Sequence, residues 1–86
     1  MPEISRFFGI IIKMYIKDHN PPHFHAEYQD YVGEYDIQTL DLINGKLPPR
    51  VHALVIEWAS YHKKELMEDW LLATNMESLK KIEPLQ

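Results

Sequence analysis

Three of the five histidines fall within seven residues, in the segment Asp18-His19-Asn20-Pro21-Pro22-His23-Phe24-His25-Ala26-Glu27-Tyr28. Imidazole changes charge between about pH 5 and 8 and is a common ligand of zinc-class ions, so the segment can supply acid/base groups or metal ligands. If His23 opens a strand, the two-residue period places His23, His25 and Glu27 on one face and Phe24, Ala26 and Tyr28 on the other. His19 can then swing in from the loop. The expectation is that His19, His23 and His25 form an acid/base set with Glu27, or that His23, His25 and Glu27 bind a divalent metal. Glu34 and Asp36 of the next strand would share that face. The plainer reading is structural: the histidines hydrogen-bond the proline turn and adjacent strands, or form a binding surface without chemistry. No other reactive pattern is present. The sequence has no Gly-rich phosphate loop, no His-Glu-x-x-His and no nucleophile elbow, and its only serines are Ser5, Ser60 and Ser78.

A sheet has to position this segment. Residues 9–17 read as a half-buried strand, with Ile10, Ile12, Met14 and Ile16 on one face and Lys13, Tyr15 and Lys17 on the other, after a shorter strand at 4–7. Pro21 and Pro22 end it, because two ladder donors are lost and Asn20 is pushed out of the helical region. Residues 23–28 and 31–39 read as antiparallel partners joined around Gln29-Asp30, and 40–43 continue the meander to an Asn44-Gly45 turn.

The period then changes. After Pro48-Pro49, a natural helix entry, Val51, Leu54, Val55, Trp58, Ala59, Leu66, Met67, Trp70 and Leu71 make one helical stripe. Run straight over 49–74, such a helix would measure about 39 Å at about 1.5 Å per residue, against roughly 30 Å for a compact chain of this length. A bend or break near Tyr61-His62-Lys63-Lys64 is therefore expected, the other course being an end that projects onto another molecule. Trp58 and Trp70 are expected in the core, Glu57, Glu65, Glu68 and Asp69 on a solvated acidic face, and His52 and His62 exposed on the helix. Asn75 reads as the stop, and residues 79–84 could add an edge strand. The predicted architecture is one α+β domain over 1–86: an antiparallel sheet of four or five strands packed against one long or kinked C-terminal helix, with room for a short final strand.

Composition bounds the function. Nine Lys and Arg against thirteen Asp and Glu give a net charge of −4 over 86 residues, which argues against unaided binding to a phosphate backbone. The absence of cysteine excludes disulfides, thiolate zinc sites and cysteine nucleophiles and fits a reducing cytoplasm. The apolar run Phe7-Phe8-Gly9-Ile10-Ile11-Ile12 is far shorter than the roughly 20 residues that span a bilayer.

The opening residues 1–12, the segment Asp18-His19-Asn20-Pro21-Pro22-His23-Phe24-His25-Ala26, the Gly45-Lys46-Leu47-Pro48 turn, Glu57-Trp58-Ala59 and the closing residues 79–85 resemble the bacterial "domain of unknown function 4160" family over nearly the whole chain. Its His-Asn-Pro-Pro-His-Phe-His motif, His19 to His25 here, is the most specific element. The resemblance implies a gene often found beside one for a small protein of another uncharacterised family, domain of unknown function 2442, in pairs proposed to be toxin–antitoxin modules. It carries no established catalytic residue, and by motif its candidates are His19, His23 and His25. The leading expectation is a small cytoplasmic component of such a two-gene module, acting by protein–protein contact with the neighbouring gene product or a second copy of itself. The alternative is a small His-dependent hydrolase, nuclease or metal-binding protein built on the histidine strand.

Overall fold

Strand follows strand in the order of the chain. The computed structural model describes residues 3–16 and 18–86. In it β1 (Glu3–Phe7), β2 (Ile10–Lys13), β3 (His23–Tyr28), β4 (Tyr31–Asp36) and β5 (Leu42–Gly45) form one antiparallel sheet in the order β1-β2-β3-β4-β5. Tight turns set the register. Phe8 (φ 50°) and Gly9 (φ 79°) bring Phe7 opposite Ile10, and Gln29 (φ 54°) helps bring Tyr28 opposite Tyr31. Two consecutive positive φ values match a hairpin turn to strand twist, and glycine adopts one of them without steric cost.

Three boundaries differ from the pattern in the sequence. β2 ends at Lys13; Met14 stays buried, but Ile16 lies in a turn and is exposed rather than continuing the buried face. Lys17, expected with Lys13 and Tyr15, lies outside the described residues, as do Met1 and Pro2. β4 stops at Asp36, whose carboxylate accepts the N–H groups of Gln38 (2.7 Å) and Thr39 (3.0 Å), and Leu40 turns with φ 64°. This early turn delays β5, so Asn44 and Gly45 belong to the strand instead of a turn after it. A Cβ on Gly45 (φ 73°) would stand 2.1 Å from the Val32 carbonyl oxygen, so only glycine fits there.

The expected helix is two helices, α1 (Pro49–Tyr61) and α2 (Lys63–Thr74), broken at His62 (φ −129°). The molecule measures 33 × 25 × 22 Å, too short for a straight 49–74 helix, so the bend is the course the chain takes. His62 is the joint: its ring lies 5.4 Å from that of Trp58 and its Nδ1 meets the Glu65 carboxylate, so it is half-buried and not an exposed helix residue.

Helix side chains cover one face of the sheet. Phe24 stacks on Tyr35 (5.4 Å, 12°) and meets Trp58 edge-on (6.0 Å), while Phe7 packs on Trp58 at 5.4 Å, and both tryptophans are buried as expected. The Tyr35 hydroxyl, pushed up to about 12 by burial, stays protonated and shares a hydrogen bond with His52 Nδ1 at 2.8 Å, so His52 is a core partner and not a solvated residue. Asp69 also departs from expectation: it is 1% exposed, because the tail folds over it. That tail, 79–86, forms no strand. It straps on through Ile82 N–H to the Ile4 carbonyl (2.8 Å), Lys80 N–H to Asp69 Oδ1 (2.8 Å) and Trp58 Nε1–H to the Glu83 carbonyl (2.8 Å). Among the described residues no helix is long and apolar enough to cross a membrane.

Candidate functional site

The strand β3 does what its alternation requires. Phe24 and Ala26 are fully buried beneath the helices, and His23, His25 and Glu27 take the opposite side. Register adds the neighbours: His25 lies opposite Lys13 of β2 and Glu34 of β4, and His23 opposite Asp36. At the head of the strand that face is not open to water. The 18–22 loop, which contains a cis Asn20–Pro21 bond, folds back over it, and the Pro22 carbonyl accepts Ile37 N–H at 3.0 Å. Trp70 of α2 closes on His23 with ring centres 5.3 Å apart, leaving His23 3% exposed.

The loop carries Asp18 into the histidines. Asp18 Oδ2 lies 3.0 Å from His23 Nε2 and 3.3 Å from His25 Nε2, and its Oδ1 accepts the His19 backbone N–H at 3.0 Å. On its far side the His23 ring donates from Nδ1 to the Pro21 carbonyl at 2.7 Å, because a carbonyl can only accept. Tyr15 meets His25 edge-on at 4.5 Å and fixes its plane. Glu34 Oε1 stands 3.8 Å from His23 Nε2, with Oε2 held by Asn44 Nδ2 at 3.3 Å. Burial pushes the Asp18 carboxyl up, but the His19 N–H, the His25 hydrogen bond and the charges of His23 and His25 outweigh it and hold Asp18 below the ordinary carboxylate range.

Of the residues singled out in the sequence, the structure brings His23 and His25 together and leaves two at the side. Glu27 does not join them; it pairs with Lys13 at 3.1 Å, across the β2–β3 ladder. The His19 side chain is 92% exposed, its Nδ1 3.2 Å from Asp18 Oδ1 and its ring 6.0 Å from that of His23. The converging set is therefore Asp18, His23 and His25, with ligand atoms all within 4.8 Å of one another. Asp18 is the residue that strand alternation misses. Its signal is its position just ahead of a two-proline reversal that returns the chain to β3.

Two nitrogens and a carboxylate oxygen, half-sheltered from water, can share protons or a cation. They form a poor anion site. Lys13 is paired with Glu27 and Arg6 with Glu3 at 2.7 Å, so neither offers a free positive charge for a phosphate backbone.

Comparison with curated proteins and with solved structures finds no match. One family model does match, over residues 9–71, a stretch that holds β2 to β5, the histidine loop, α1 and most of α2. The chain belongs to the family described as Domain of unknown function (DUF4160).

Proposed function

We propose that the protein works in the cytoplasm by protein–protein contact, as one member of a two-gene, toxin–antitoxin-type module, with the 18–22 loop and the head of β3 as its contact surface. The loop carries this reading. His19, Asn20 and Pro21 are exposed, yet Asp18, the Pro21 carbonyl and the Pro22 carbonyl are each tied to the sheet. An exposed loop that is already braced gives up little freedom on binding, and that is what a recognition loop on a rigid scaffold needs. The net charge of −4 suits a basic protein partner better than a nucleic acid.

The test is co-expression with the small protein encoded beside it. The tagged chain is expected to co-purify with that protein in a fixed ratio, and expression of one without the other to change growth. No complex and no growth effect overturns the reading. Sedimentation of the chain alone separates a second copy from a foreign partner.

A second reading, a hydrolase acting through the same residues, is favoured by the convergence of His23 and His25 on Asp18. It predicts that His25→Ala abolishes any toxicity while leaving the complex intact. Unchanged toxicity removes it.

A further inference from the structure

We infer that Asp18, His23 and His25 hold one divalent transition-metal ion of the zinc class. The hydrogen on His23 is the first reason. Its Nδ1 spends that hydrogen on the Pro21 carbonyl at 2.7 Å, so in the neutral ring the Nε2 lone pair points at Asp18 Oδ2, an acceptor 3.0 Å away. Two acceptors in contact need a cation between them. Either a second proton or a metal ion supplies it, and the surroundings favour the metal.

The spacing fits. Ligand arms of about 2.0–2.1 Å in a tetrahedron put neighbouring ligand atoms about 3.3 Å apart. Asp18 Oδ2 stands 3.0 Å from His23 Nε2 and 3.3 Å from His25 Nε2, and the three ligand atoms lie within 4.8 Å of one another. The supporting bonds fit as well. A ligating histidine characteristically donates its other ring N–H to a carbonyl or carboxylate, and Pro21 takes that part for His23. Asp18 Oδ1 is occupied by the His19 N–H, which leaves Oδ2 as the single ligating oxygen. Trp70 and Tyr15 lock the two rings.

The donor set names the class of ion. Two imidazoles and one carboxylate suit zinc, cobalt or nickel, whereas calcium and magnesium want oxygens. Three protein ligands leave a fourth position open to water or a further group, and the nearest other carboxylate to His23 Nε2 among the described residues is Glu34, with Oε1 at 3.8 Å.

The experiment is a titration of the full-length chain, stripped by a chelator, with Co²⁺ and with Zn²⁺ in competition. One equivalent is expected, with a Kd below about 10 μM and the intense visible absorption of tetrahedral cobalt. Asp18→Asn and His25→Ala should each weaken binding by at least about tenfold, and Glu27→Gln should leave it unchanged. Circular dichroism checks that each variant folds, and Asp18→Asn preserves shape if His25→Ala does not. Weaker or non-stoichiometric binding overturns the inference. Wild-type affinity in both site variants overturns it too, and loss of binding in Glu27→Gln overturns the ligand set. Because the chain is titrated alone, failure here leaves the protein-contact reading standing, and a failed co-purification leaves the metal site standing.

Discussion

Asp18 and Asp69 are both withdrawn from water, one beside β3 and one beneath the tail, and their surroundings treat them in opposite ways. Asp18 has contacts on both oxygens, with the His19 N–H on one and two imidazoles on the other, and its carboxyl is held below the ordinary range. Asp69 has the Lys80 N–H on Oδ1 and no partner on Oδ2; burial, with Glu68 and Glu65 adding to it, pushes its carboxyl up. One environment is built to keep a charge, the other tolerates one to anchor a strap. The contrast separates a polar cluster partnered on both oxygens from a half-partnered carboxylate that holds the tail.

The tail should dominate stability. Ile82 is 4% exposed and hydrogen-bonds β1 through its N–H, so Ile82→Ala is expected to cost about 2–4 kcal/mol in urea unfolding. A cost near zero would mean that the strap is not part of the cooperative unit and that Asp69 anchors nothing. The Asp18 cluster comes next. Asp18→Asn, measured in chelator, removes charge-assisted bonds from a half-sheltered site and should cost about 1–3 kcal/mol. If it stabilises the chain instead, Asp18 is a residue held for function against the fold's interest, and the contrast with Asp69 sharpens.

Much of this is legible in the sequence, for a physical reason. Period-two alternation reports which side of a strand is covered, so it sorts Phe24 and Ala26 from His23, His25 and Glu27 without help from any distant contact. Length alone poses the choice between a broken helix and a projecting end, and a body 33 Å long with helices at Pro49–Tyr61 and Lys63–Thr74 decides it as a break. What escapes such reading depends on contacts between distant parts of the chain. Asp18 reaches the histidines through a loop reversal, and no periodicity encodes that. Asp69 sits among glutamates that face water, yet it is buried and meets the tail eleven residues further on at Lys80. His52 likewise finds Tyr35 across seventeen residues.

The two carboxylates should also respond to acid with opposite signs. Asp69 is raised in the folded chain, so between its folded and ordinary values the native state holds more protons than the unfolded one, and stability from this group rises as pH falls. Asp18 is lowered, so its contribution is present above the ordinary carboxylate value and is lost as pH falls through its depressed one. Thermal melts of Asp69→Asn and Asp18→Asn between neutral and acid pH read both. Asp69→Asn is expected to gain about 1 kcal/mol over the parent near neutrality, by removing a half-partnered buried charge, and to lose that advantage in acid. Parallel pH curves for parent and variant would show that Asp69 is not raised and erase the contrast.

The smallest change in stability is expected at the most exposed of the three clustered histidines. The His19 side chain is 92% exposed, and the bond that braces the loop comes from its backbone N–H, which any residue but proline supplies. His19→Ala should therefore shift unfolding by less than about 0.5 kcal/mol. Because the loop keeps its shape, any loss of affinity for the partner must come from the imidazole itself, and a drop of about tenfold or more is expected if the 18–22 loop is the contact surface. Unchanged affinity in a stably folded variant would move the contact away from this ring, and would leave the Asp18–His23–His25 cluster beneath it as the loop's sole purpose.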